Sequence, residues 1–367
     1  MISAFPQLAR AEEAHRAGRH EEAARFAMDH ARRHPQEPRG LALLGSIATA
    51  TGALVQGEMF LRRALALQPA SREALRGLAS CLNQQERLAE ALAIFQQLGR
   101  EDDPSTAVTI SIILDKLGRY EEANAILEQL ATRYPERPNI WIALGHNLRA
   151  LGRTDEAIAA YRNAVALEPE MGDAWWGIAS IKRRVLSDED LATMQQAAAS
   201  AVDANNLAPL HFALARACHD RQQYDRAFEH YSEANRLWAQ SLNYNPDQLT
   251  EEVGESARLF TSQFFTRSPK AGDPSPAPIF IVSLPRSGST LLEQMLDSHP
   301  DIEALGELTY IPALLRSTME AATRSGIRTV PEAVARLAPA DRTALGAEYM
   351  RRASQHRKTD APHFIDK

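Results

Sequence analysis

The chain has 367 residues, 44% apolar and 24% charged, an ordinary soluble composition with length enough for two domains. A net charge of −6 gives no global basic footprint and excludes nucleic acid as the main partner. Two distant cysteines, Cys81 and Cys218, exclude a disulfide framework and a Cys-x-x-Cys metal site; each sits in an apolar helical pattern and reads as a buried structural thiol. No apolar run approaches membrane-spanning length, and residues 1–20 lack the apolar core of a signal peptide, so the expected location is cytoplasmic, with no membrane partner.

From the start of the chain a repeat is visible. Pro35 and Pro69 are 34 residues apart, as are Pro135 and Pro169, and each closes an alanine-bearing helical pattern. Upstream of three of these patterns lie GRHEEA, GRYEEA and GRTDEA, and earlier still a bulky residue precedes a Leu-Gly pair: Leu41 before Leu44 and Gly45, Trp141 before Leu144 and Gly145. The period and the pattern are those of tetratricopeptide repeats. Small residues such as Gly45, Gly145 and Ala157 admit close helix approach, and Phe95, Leu127, Trp141 and Tyr161 fill the space between units. One helix pair cannot bury its own apolar face, so the units must stack into an α-solenoid. Units are expected at 4–37, 38–71, 72–103, 104–137 and 138–171. A sixth starts with Trp175 and Trp176 and is interrupted, residues 188–200 forming a helix of their own; a last unit runs over 208–241. Trp141, Trp175 and Trp176 read as packing residues. The repeats carry no chemistry, but the groove of such a solenoid suits an extended protein or peptide partner.

Residues 246–266 read as a capping helix, and the Pro-rich stretch 268–278 as a linker. The expected domains are therefore 1–241, 242–278 and 279–367. Past the linker, residues 279–284 form an apolar, β-branched run that reads as a strand buried on both faces. It stops at Pro285. Arg286, Ser287, Gly288, Ser289 and Thr290 follow, and then a helical stripe of Leu291, Leu292, Met295 and Leu296. Strand, small-residue turn and helix start aim free backbone N–H groups at an anion, and Ser289 and Thr290 add hydroxyl donors. The lysine of the nucleoside-triphosphatase loop is missing, which opposes a kinase or NTPase; Arg286 instead suits a multiply charged oxyanion. His299 has no metal-spaced partner and reads as a helix-end residue. Helical patterns occupy 313–323 and 331–354, the latter in two pieces, and 363–365 reads as a second short strand. The basic run Arg351, Arg352, His356, Arg357, Lys358 reads as a solvated helix end.

The stretch LPRSGSTLLEQMLDSHP (284–300) resembles the 5′-phosphosulfate loop and first helix of sulfotransferases that use 3′-phosphoadenosine 5′-phosphosulfate (PAPS). It is most similar to tyrosylprotein sulfotransferases and to bacterial proteins that join tetratricopeptide repeats to such a domain. The resemblance implies the N-terminal part of an α/β, P-loop-like sulfotransferase domain, with PAPS as sulfuryl donor and no metal. It implies that Arg286, Ser287, Gly288, Ser289 and Thr290 bind the 5′-phosphosulfate. Glu307 matches, without a gap from Arg286, the family's catalytic base, with Glu303 as the nearby decoy. Lys367, after Phe364, Ile365 and Asp366, matches the lysine that stabilises the leaving oxygen. Arg286, Glu307 and Lys367 are thus the implied catalytic set. The implied reaction is sulfuryl transfer to an acceptor hydroxyl, peptidyl tyrosine by resemblance, with the repeats docking the acceptor. The family's chain continues past this lysine into a Pro-Asn turn, further strands and the 3′-phosphate site, so the sequence reads as truncated. The alternative is a repeat adaptor with an inactive transferase segment.

Overall fold

The computed structural model describes residues 5–99, 103–181, 183–200, 203–242, 244–267 and 271–367. Residue 4, where the first repeat was expected to begin, residues 100–102 within the expected third unit, and residues 268–270 of the linker lie outside the described residues. The chain divides into two compact units, Met1–Gly99 with Asp247–Lys367, and Arg100–Pro246.

Both units are built on helix pairs. The first unit holds α1 (Pro6–Arg16) and α2 (His20–Arg33), α3 (Pro38–Ala50) and α4 (Leu54–Leu67), α5 (Arg72–Gln84) and α6 (Leu88–Leu98). The second holds α7 (Pro104–Lys116) and α8 (Tyr120–Arg133), α9 (Pro138–Ala150) and α10 (Thr154–Leu167), then α11 (Gly172–Ala179), α12 (Asp188–Ser200), α13 (Ala204–Asp220) and α14 (Tyr224–Ser241). Starts and stops follow the sequence. Pro38, Pro104 and Pro138 open helices at their first position, where no N–H is needed. Glu37, Ser71 and Asp103 accept from the amides of Gly40, Ala74 and Ser105 as N-caps. An arginine before the second helix of a pair grips a glutamate three residues on: Arg19–Glu22, Arg119–Glu122 and Arg153–Glu156, at 2.7, 2.6 and 2.5 Å.

The packing recurs as well. Leu61, fully buried, lies against Gly45 and Gly77; a Cβ on either glycine would stand 2.4 and 2.6 Å from its side chain. In the second unit Tyr161 takes that place between Gly145 and Gly177, and added Cβ atoms would stand 2.5 and 2.7 Å from its ring. Trp141 and Trp175 each donate an indole N–H to a turn carbonyl six residues back, that of Pro135 at 2.8 Å and Pro169 at 2.9 Å. Trp175 is buried; Trp176 is more exposed than expected and meets Phe212 at 5.6 Å between ring centres. Cys81 and Cys218 are free and buried, as their helical settings implied.

The expected capping helix is two helices, α15 (Pro246–Leu259) and α16 (Ser262–Arg267). Beyond them come β1 (Pro278–Phe280), α17 (Ser289–Asp297), β2 (Ile302–Ala304), α18 (Tyr310–Thr323), α19 (Val330–Ala335), α20 (Pro339–Ala353) and β3 (His363–Asp366). The three strands form a parallel sheet in the order β1-β3-β2. β2 is a strand that the sequence reading did not separate from the turn around it, because only three residues carry it. Tyr310, Tyr349, Ala353 and Phe364 make the core beside the sheet. β1 corrects the expectation of a strand over 279–284 buried on both faces. Its register with β3 ends at Phe280 opposite Asp366, with a last bond from the Ile281 amide to the Asp366 carbonyl at 2.9 Å, and β1 is an edge strand of the described sheet. Val282 and Leu284 beyond it are 93% and 79% exposed.

The basic run 351–358 is corrected in part: Arg351 and Lys358 are exposed, as in a solvated helix end, but the rest of the run is not free in solvent. Arg352 is buried and donates to the carbonyl of Gln85 at 2.8 Å. Arg351 pairs with Glu348 at 2.7 Å and reaches Glu90 at 3.4 Å. On α18, Glu320 accepts from the amides of Val55 at 2.8 Å and Gln56 at 3.0 Å, capping α4, whose own N-cap residue Ala53 offers no side-chain acceptor. Within the first unit the C-terminal segment is thus tied to the repeat helices by buried and half-buried polar groups.

Candidate functional site

The loop after β1 turns back on itself at two left-handed residues, Arg286 at φ 64° and Gly288 at φ 94°. Glycine takes that conformation without strain; arginine does not, so the backbone at 286 is held in a sparsely populated region. Gly288 is the N-cap of α17 and accepts from the amides of Leu291 and Leu292. Among the described residues no backbone acceptor meets the amides of Gly288, Ser289 and Thr290, which leaves a row of N–H groups at the positive end of a helix. The side chains of Arg286, Ser287 and Thr290 are exposed there. Residues 286–290 therefore form an open turn with donors available to an anion.

The end of β3 reaches this turn. Lys367 Nζ donates to Thr290 Oγ1 at 3.2 Å and pairs with Glu293 Oε2 at 2.9 Å. Glu307 Oε1 lies 4.0 Å from the same nitrogen, and its side chain is 81% exposed against 11% for Lys367. Three of the expected residues, Thr290, Glu307 and Lys367, thus meet around one ammonium group. Arg286 joins them through the loop alone; its guanidinium makes no ion pair among the described residues.

Two residues that the sequence reading passed over build this arrangement. Glu293 is 4% exposed, and its second oxygen accepts from the amide of Gly306 at 3.1 Å. Of the stripe Leu291, Leu292, Met295 and Leu296, the first three are 68%, 47% and 64% exposed, and only Leu296 is half-buried. The helix turns its carboxylate inward because Lys367 and Gly306 satisfy it there. Asp366, also buried, accepts from Tyr349 Oη at 2.8 Å and from the amide of Leu308 at 3.2 Å. Burial pushes its carboxyl above the ordinary range, against the pull of those hydrogen bonds. The amide of Lys367 donates to the Gly306 carbonyl at 3.0 Å and that of Leu305 to the Ile365 carbonyl at 3.1 Å. The turn that carries Glu307 is thereby fixed to the strand that carries Lys367.

Glu303 is placed apart from this group. It accepts from the Lys358 amide at 2.5 Å, Thr359 Oγ1 at 3.1 Å and Arg357 Nε at 3.3 Å. Burial works against its charge, but these three partners outweigh it and hold the carboxyl below its usual range. Its role is to fasten β2 to the turn before β3. His299 is exposed at the end of α17. Among the described residues no cluster of His, Cys, Asp and Glu could hold a metal ion, and no helix is long and apolar enough to cross a membrane.

The model of the sulfotransferase family matches residues 278–367, the stretch from β1 to Lys367. Residues 278–367 are a sulfotransferase-family segment. The tetratricopeptide repeat model matches residues 48–109 and 116–179, so the transferase segment follows a helical repeat array. An uncharacterised protein of Aquifex aeolicus is 30% identical over 217 residues, 59% of this chain and 28% of its own length. The human protein O-mannosyl-transferase TMTC1 is 27% identical over 156 residues, 40% of this chain and 18% of its own. The chain spans less than a third of the length of these curated relatives. A solved tetratricopeptide repeat protein from Parabacteroides merdae superposes with a TM-score of 0.49 at 15% identity, covering 67% of this chain and 95% of that one.

Proposed function

We propose that the transferase segment binds PAPS through residues 286–290 and transfers its sulfuryl group to an acceptor hydroxyl, with peptidyl tyrosine the favoured acceptor. The observation that carries this reading is the convergence of Lys367 Nζ on Thr290 at the anion loop, with the Glu307 carboxylate 4.0 Å away. PAPS, when bound, supplies the sulfuryl group and a phosphate as leaving group. The free amides of Gly288, Ser289 and Thr290 and the Ser289 and Thr290 hydroxyls suit the 5′-phosphosulfate oxygens. Lys367 and Arg286 offset the charge that grows on the leaving oxygen, a preorganised electrostatic role. Glu307, exposed towards solvent, takes the proton of an incoming hydroxyl. A phenol, with a pKa near 10, needs such a base at neutral pH. The repeats dock the acceptor protein or another peptide, as stacked helix pairs offer a surface for extended chains.

A second reading, a repeat adaptor with an inactive transferase segment, is favoured by the exposure of Val282, Leu284 and Leu291 beside the loop. Sulfuryl transfer gains from a site that excludes water, and these flanks are open. Calorimetry separates the readings. Binding of adenosine 3′,5′-bisphosphate, abolished by Arg286→Ala, supports the transferase. Binding of ATP with magnesium in its place would mean an NTPase-like site, and binding of neither would leave the adaptor.

A further inference from the structure

Glu293 is a carboxylate turned inward on a helix whose Leu291, Leu292 and Met295 face out, and no role in binding or proton transfer falls to it. Its two oxygens are divided between two elements. One pairs with Lys367 Nζ at 2.9 Å, the other accepts from the amide of Gly306, the residue before Glu307, at 3.1 Å. A lysine ammonium has three N–H donors on a flexible stem. Here Glu293 and Thr290 take two of them and fix where the charge stands. Burying such a pair is costly, and an apolar pair of similar volume often serves stability as well or better.

We propose that Glu293 is a positioning residue, which holds the Lys367 ammonium against the anion loop and the Glu307 turn beside it. This rests on the sulfotransferase reading, in which Lys367 meets the phosphosulfate and Glu307 the acceptor. The carboxylate acts through the lysine and the turn and touches neither donor nor acceptor. Its charge alone works the other way, since a negative group near an anion site weakens anion binding. Position and charge therefore predict opposite signs when the charge is removed.

The test uses Glu293→Gln, which keeps the volume of the side chain and an oxygen for the Gly306 amide, and the whole chain. The first measurement is the rate at which an amine-acylating reagent modifies Lys367, read by mass spectrometry against exposed Lys358. It needs no nucleotide. Modification of Lys367 about tenfold faster in the variant, with Lys358 unchanged, is expected from release of the held ammonium. An unchanged rate overturns the proposal. The second is calorimetry with adenosine 3′,5′-bisphosphate. The expected result is binding about tenfold weaker in Glu293→Gln, with the double variant Glu293→Gln, Lys367→Gln no weaker than Lys367→Gln alone. Tighter or equal binding by Glu293→Gln means that charge and not position is what Glu293 contributes, and overturns the proposal. If the parent chain binds neither the bisphosphate nor adenosine 5′-phosphosulfate, which needs no 3′-phosphate site, the transferase reading falls, while the labelling rate still decides whether Glu293 holds the lysine.

Discussion

The repeat helices and the transferase segment hold themselves together by different means. In the repeats a large side chain sits between glycines of neighbouring helices: Leu61 between Gly45 and Gly77, Tyr161 between Gly145 and Gly177. In the transferase segment the apolar residues around the loop stay exposed, and carboxylates and guanidinium groups make the ties: Glu293 to Lys367, Glu303 to Arg357, Glu320 to the amides of α4, Arg352 to Gln85. A periodic sequence can repeat one packing solution. A site that must present charge to a ligand keeps polar groups inside and accepts their desolvation. The difference teaches where each kind of substitution should matter.

The largest effect should come from the chemistry. Glu307→Gln should lower turnover with PAPS by about 10² to 10⁴, the usual worth of a general base, while the melting temperature stays put, because the side chain is exposed. Glu303→Gln, in the buried tie, should do the reverse and lower the melting temperature. A dead but stable Glu303→Gln beside an active Glu307→Gln would exchange the two roles. In the repeats, Tyr161→Ala should destabilise the second unit by about 3–5 kcal/mol, the cost of emptying a buried aromatic site. Urea unfolding followed by circular dichroism measures it; a loss below about 1 kcal/mol would mean that the neighbouring helices collapse onto the glycines.

Smaller effects probe the polar ties. Glu320→Ala removes the cap from α4 and should cost about 1 kcal/mol, seen in the melt of the first unit. Glu348 tests the pH dependence of the same face. A hydrogen bond from Arg351, and a further one from Arg352, pull its carboxyl down to about 2 from an ordinary 4.5. A carboxyl lowered in the folded state stabilises the fold above its unfolded value, and that stability is lost as pH falls from about 4.5 towards 2. Melts of parent and Glu348→Gln across that range should converge at the acid end; parallel curves would show that the pair contributes nothing. The smallest effect belongs to the exposed stripe. Leu291→Gln should change stability by less than about 0.5 kcal/mol, because the side chain is 68% exposed. A larger loss would show that this face is covered in solution.

Much of this was legible in the sequence because it is local or periodic. The 34-residue spacing places the helix pairs, since each unit packs only on its neighbours and every unit repeats the same solution. The turn proposed to bind an anion is legible for a similar reason: Arg286 to Thr290 are contiguous, and their backbone makes the donors. Glu307 lies one short helix and one short strand further on, so its nearness to the loop follows from spacing by resemblance. What the sequence could not give is which way α17 faces. Its leucines suggest an inner stripe by hydrophobicity, and Glu293 looks like a surface residue. Only the tertiary structure decided otherwise, because the partners that make Glu293 an inner residue, Lys367 and the Gly306 amide, come from elements 74 and 13 positions along the chain. The same holds for Arg352 and Glu320, whose partners Gln85 and Val55 are 267 and 265 positions away. Periodicity reports what a residue does for its own helix; the pairing of a buried charge depends on which distant element arrives beside it.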